Sequence, residues 1–197
     1  RGVTVKPGTY KVVLESKNIT SQTAVEILID PRLEISPEAI EERYDFAKKV
    51  EDFTAKTTAA VEQLKASKKT LAVYKKRIQE KDDEAHKVLL ETIEEHSKKI
   101  EDILVLFIGK EDKRQGIVRN SENSVLKRIY SANRYVPSRP SGITLTEEKL
   151  LEHARQDLVA ALDQTNAFYE VYWKAIRVQI EAINLSEFEA IKRFKLD

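Results

Sequence analysis

The chain has 197 residues, enough for one domain or one domain with a small attachment, and 41% of them are hydrophobic, an adequate supply for a core. Its 34 Lys and Arg stand against 33 Asp and Glu, so the net charge is only +1, without the basic excess of a general nucleic-acid binder. No apolar run approaches the ~20 residues of a membrane span, and the absence of cysteine excludes disulfides, thiolate chemistry and cysteine zinc sites.

The first segment, 1–35, reads as β-structure. In TYKVVLES, Tyr10, Val12 and Leu14 alternate with Lys11, Val13 and Glu15. A polar turn is expected over SKNITSQ, and TAVEILID then places Val25, Ile27 and Ile29 on one face. Two strands alone do not make a stable sheet, so this segment is read as a hairpin left from a β-sandwich. Its partners are upstream strands, the helices or another copy of the chain. Asp30-Pro31-Arg32 ends it, because proline donates nothing to a ladder and holds its predecessor extended.

The remainder, 36–197, reads as a helical bundle. Ser36-Pro37-Glu38 offers a serine cap, a proline at the first helical position and an acid in the first turn. The first helix is expected from about Pro37 to Glu80. Its stripe is Ile40, Tyr44, Ala47, Val50, Phe53, Thr57, Val61, Leu64, Leu71, Tyr74 and Ile78. Lys81-Asp82-Asp83 interrupts that stripe, and a second helix runs to Ile108 through Leu89, Ile93, His96, Ile100, Ile103 and Phe107. No glycine or proline marks the break, yet a narrow stripe needs a partner, which favours a helical hairpin over one continuous rod.

Between 109 and 142 lies an irregular, basic stretch with Arg114, Arg119, Arg128, Arg134 and Arg139, two prolines and three of the chain's five glycines. Ile117, Val118, Val125, Leu126, Ile129 and Val136 give it enough apolar side chains to pack, so it is read as ordered, with a short helix near Ser124–Ala132. Thr144-Leu145-Thr146-Glu147 is a capping box that starts the last long helix. That helix is expected to reach Asn184 on the richest stripe of the chain, from Leu151 through Phe168, Tyr172 and Ile176 to Ile183. Ser186 then caps a short piece bearing Phe188, Ile191 and Phe194. The whole predicts a mainly α protein: an elongated three-helix bundle or coiled-coil hairpin behind a short β-hairpin.

Little in this pattern carries chemistry. The three histidines, His86, His96 and His153, form no Glu-x-x-His pair of the kind that helical bundles use for di-iron sites, and His96 lies on an apolar stripe as a core residue. There is no Gly-x-Ser-x-Gly and no phosphate-binding glycine loop, so no catalytic residue, metal site or cofactor is assigned. The sequons at Asn18 and Asn184 are short enough to arise by chance. Two readings of the basic stretch stay open. Its arginines, with Tyr130 and Tyr135, suit an anion such as phosphate, sulfate or an acidic sugar. Alternatively they pair with helix acids and loop carbonyls as a structural cover or docking surface.

The order PGTYKVVL, VEILIDPRLEIS, a long helical hairpin, GKEDKRQGIVRN, SANRYVPSRPSG and TNAFYEVYW resembles the C-terminal region of large bacterial sortilin-like proteins, the BNR (Asp-box) repeat glycosyl hydrolases. The junction at Asp30–Arg32 and the basic stretch are its most specific elements. The resemblance implies a β-propeller and an immunoglobulin-like strand region upstream, and a secreted or cell-envelope location. The chain begins Arg1-Gly2 without a signal-peptide pattern, which places any targeting segment upstream. Asp-box repeats are absent here, so no catalytic residue of the propeller carries over.

The leading expectation is therefore a non-catalytic helical scaffold or docking domain of such a protein. Arg114, Arg119, Arg134, Tyr135 and Arg139 are its docking or anion-binding residues, and the upstream propeller and sandwich are its partners. The alternative is a module binding anionic glycans or other polyanions through the same segment. A homodimer is a further expected partner, because unpaired strands and long stripes invite self-association.

Overall fold

The computed structural model describes residues 3–81, 86–110 and 124–183. The protein is mainly helical and begins with a two-stranded antiparallel hairpin. Strand β1 (Gly8–Ser16) and strand β2 (Ile19–Ile27) pair in one register, from Ser16 opposite Ile19 to Gly8 opposite Ile27. The loop is Lys17 and Asn18 alone, so the polar turn expected over SKNITSQ is shorter than its composition suggests. Two-residue hairpin loops match strand twist when their first residue has a positive φ, and Lys17 has one, at 51°. Ile19 and Thr20 are β-branched and suit the ladder they enter.

Helix α1 (Pro37–Gln79) starts as its cap predicts: the Ser36 hydroxyl accepts the Ala39 N–H at 3.2 Å. Helix α2 (Lys87–Ile108) stops at Gly109, whose φ of 77° is the left-handed conformation that closes many helices. The expected break at Lys81–Asp83 falls partly outside the described residues. Lys68 nevertheless pairs with Glu101, and Lys75 with Glu94 at 3.3 Å, which lays α2 antiparallel to the second half of α1. Helix α3 (Val125–Asn133) is the short helix expected near Ser124, and a 3₁₀ turn at Val136–Ser138 follows it. Helix α4 (Leu145–Ala167) passes through a π turn at Phe168–Trp173 into helix α5 (Lys174–Glu181). The piece expected after Ser186 lies outside the described residues.

The chain divides into two compact units, one of 1–59 with 106–160 and one of 60–105 with 161–197. In the first, Phe46, Ala132, Val136 and Leu151 form a buried cluster, with Val50, Phe53, Ile143 and Leu150 packed against it. Phe46 was not on the expected α1 stripe. It faces α3 and α4, while Ile40, Tyr44 and Ala47 line a separate cavity of about 650 Å³ under Val5, Ile29 and Leu33. This half of α1 thus buries two faces, which a single-stripe reading does not capture.

In the second unit, Leu64, Leu71 and Ile78 of α1 and Ile93 and Ile100 of α2 are buried with Phe168, Ile176 and Ile180. The seam on the last helical run advances in steps of four from Phe168 through Tyr172 to Ile176 and Ile180. The wider π turn accommodates that spacing. No described helix is long and apolar enough to cross a membrane.

Candidate functional site

The segment after α3 is held by its arginines from inside. Ser124 caps α3, accepting the Lys127 N–H at 3.4 Å, and Val125, Ile129 and Ala132 turn one face of the helix into the core. Arg128 on the same helix pairs with Asp157 of α4. Beyond the 3₁₀ turn, Arg139 reaches forward to donate to the Gly142 carbonyl at 3.2 Å and to the Glu147 carboxylate. Glu147 is also the acid of the predicted capping box. It accepts the N–H and the hydroxyl of Thr144, both at 2.9 Å, and returns its own N–H to that hydroxyl at 3.4 Å.

Glu147 is only 6% exposed. Burial by itself pushes its carboxyl up, but the Thr144 N–H, the Arg139 guanidinium and the Thr144 hydroxyl outweigh burial and hold it below the usual carboxylate range. The loop backbone is fastened from the other side by Arg43 of α1, which donates to the Arg139 carbonyl. Gly142 lies so close to α1 that a Cβ there would stand 2.5 Å from Glu42 Oε2 and 3.6 Å from the Ala39 methyl.

The five residues singled out from the sequence therefore separate. Arg139 is part-buried and engaged within the fold. Arg134 and Tyr135 are exposed side by side, the guanidinium 5.2 Å from the ring centroid. Tyr130 is exposed as well. Arg114 and Arg119 lie outside the described residues. Arg43 was not singled out, because a lone arginine on a long amphipathic helix shows nothing of the loop carbonyl it will meet.

The second surface of interest is the hairpin. Its root is fixed to α1: Lys6 pairs with Glu41 at 2.7 Å and lies 4.6 Å from the centre of the Tyr44 ring, and the Tyr10 hydroxyl donates to the Lys6 carbonyl at 2.7 Å. Beyond that root it is uncovered. The register puts Tyr10, Val12 and Leu14 on one face with Ile19, Val25 and Ile27. Val12, Leu14, Ile19 and Val25 of that face are 43–74% exposed. The opposite face carries Lys11, Val13, Glu15, Gln22 and Glu26 and is mostly polar.

In the second unit, His96 is buried at 6% exposure, edge-on to Tyr172 with ring centres 5.4 Å apart and to Phe168 at 6.2 Å. Burial pushes its pKa below the ordinary histidine value, and the Lys99 ammonium adds to the shift. Lys99 itself sits 4.9 Å from the centre of the Tyr172 ring, and the Tyr169 hydroxyl meets Ser67 Oγ at 2.8 Å. These contacts are those of a packed aromatic cluster, the core position expected for His96. Among the described residues no three His, Asp or Glu side chains gather where they could hold a metal ion.

No protein-family model, curated protein or solved structure matches the chain.

Proposed function

We propose that the chain is a non-catalytic docking and scaffold domain whose hairpin lays its apolar face on a β-sheet of a neighbouring domain. The observation that carries this reading is the exposure of Val12, Leu14, Ile19 and Val25 on one face of a two-stranded sheet. A hairpin of two strands is marginal in water, and a facing sheet about 10 Å away is the cover that such a face fits. On this reading the helices form a bundle that carries the hairpin, and Arg134 with Tyr135 adds a polar and aromatic contact beside it. The resemblance of PGTYKVVL, VEILIDPRLEIS and SANRYVPSRPSG implies that the facing sheet belongs to an immunoglobulin-like region after a propeller, in a secreted or envelope protein. The polyanion reading is less favoured, because Arg128 and Arg139 are turned toward Asp157 and Glu147.

Hydrogen exchange tests the reading. The amides of β1 and β2 exchange more slowly when the chain is joined to the domains that precede it than when it is alone. Val12→Ser with Leu14→Ser removes the difference. Equal exchange in both settings overturns the proposal.

A further inference from the structure

The free edge of β1 carries a pattern of its own. In a hairpin with a two-residue loop, the residues flanking the loop exchange both backbone hydrogen bonds, and such pairs then alternate along the ladder. Ser16 opposite Ile19 is that first pair, so Leu14, Val12 and Tyr10 also bond toward β2. Thr9, Lys11, Val13 and Glu15 therefore direct their N–H and C=O groups outward. Among the described residues the sheet has no third strand, and no backbone hydrogen bond from outside the hairpin reaches these four.

We infer that this edge pairs with the same edge of a second copy of the chain, Val13 opposite Val13, in a four-stranded antiparallel sheet with two-fold symmetry. The occupant follows from charge and parity. Residues with outward amides must stand opposite one another, which any centre from Lys11 to Leu14 satisfies; centring on Lys11 sets two like charges face to face. The Val13-centred register puts Lys11 of each copy opposite Glu15 of the other, two unlike pairs on one face, and Val12 opposite Leu14 twice on the other. Centring on Val12 sets Lys11 against Val13, and centring on Leu14 sets Lys11 against Lys17. Opposite charges directly across a strand pair stabilise it, and like charges weaken it. The β2 edge presents Thr20, Gln22, Ala24 and Glu26 and has no cation to meet Glu26 in any self-pairing. Joining β1 to the β2 edge of another copy makes a head-to-tail contact that does not close, whereas β1 with β1 closes at two copies.

This inference deepens the docking reading, because the doubled sheet presents a broader apolar face. It uses the edge, however, and not the face, so the two are tested by different substitutions. Sedimentation of the full chain over a concentration series is expected to show a monomer–dimer equilibrium. Lys11→Glu and Glu15→Lys are each expected to raise the dimer Kd about tenfold or more, and the double exchange to restore it. Since the chain has no cysteine, Val13→Cys reports the register directly. Mild oxidation cross-links it to its counterpart, while Val12→Cys and Leu14→Cys stay uncross-linked. A chain that remains monomeric, single charge changes without effect, or cross-linking strongest at 12 or 14 overturns the inference. A monomer leaves the face docking intact, and Lys11→Glu or Glu15→Lys, on the opposite face, leaves the apolar face unchanged.

Discussion

The Arg139 guanidinium meets the Glu147 carboxylate at the point where Glu147 also closes the capping box of α4. One buried acid thus joins the end of the basic segment to the start of a core helix. Removing Arg139 leaves that acid with the Thr144 contacts alone.

Arg139→Ala is therefore expected to destabilise the protein by about 2 kcal/mol, the usual scale for stranding a buried, charge-assisted partner. Both contacts come from one guanidinium nitrogen, so Arg139→Lys, whose ammonium carries three donors, is expected to recover most of the loss. Urea unfolding of the three proteins checks this, and Arg139→Ala at wild-type stability would contradict it.

Arg134→Ala touches only an exposed stacking contact with Tyr135. Its stability is expected to stay within about 0.5 kcal/mol of wild type. The pair Arg134→Ala and Arg139→Ala, measured side by side, separates a surface residue from a structural one in the same segment.

The pH profile has two windows. The pKa of His96 is lowered in the folded chain, so the unfolded chain binds its proton more readily. Stability due to neutral His96 is present above about pH 6.5 and is lost as pH falls from there through the lower folded value. The Glu147 carboxyl is likewise held low, and its contribution is present above about pH 4.3 and lost as pH drops through its folded pKa. His96→Phe is expected to flatten the first slope and leave the second. Thermal melts between pH 3 and pH 8 read both.

Gly142 tests how closely the loop sits on α1. The nearest atom to an added Cβ is the end of the flexible Glu42 side chain, and the Ala39 methyl is at ordinary contact distance. Gly142→Ala is expected to cost less than about 1 kcal/mol, with Glu42 swinging aside. Gly142→Val must also displace Ala39 and is expected to cost about 1–3 kcal/mol. Equal losses in chemical denaturation would show that Glu42 is not free to move.

At the hairpin loop, Lys17 holds a left-handed backbone that a side chain disfavours. Lys17→Gly is expected to stabilise the hairpin by about 0.5–1 kcal/mol, since its gain in φ freedom exceeds the unfolded-state entropy it adds. Amide protection of Leu14 and Ser21 is the direct measure.

Local signals made much of this fold legible in the sequence. Ser36 and Thr144 mark helix starts because a cap and its N–H lie within three residues of each other. The short helix after Ser124 could be read for the same reason. The hairpin was visible in the alternation of Tyr10, Val12 and Leu14, but its tight loop was obscured because Thr20, Ser21 and Gln22 are polar residues on an uncovered strand. Phe46 and the partners of Arg43, Arg128 and Arg139 were hidden for another reason. A long side chain meets acids or carbonyls set by tertiary packing, up to 96 residues away for Arg43, and no spacing rule encodes that reach. The candidate site divided along the same line. The exposed apolar strand could be anticipated, whereas which arginine turns inward could not.

Arg139 is held twice by different parts of itself. Glu147 grips its side chain and Arg43 grips its main-chain carbonyl. A substitution at 139 releases only the first grip, because every amino acid keeps the carbonyl. A substitution at 43 releases only the second. The segment is fastened with redundancy, so drift at either position loosens it by degrees before it lets go.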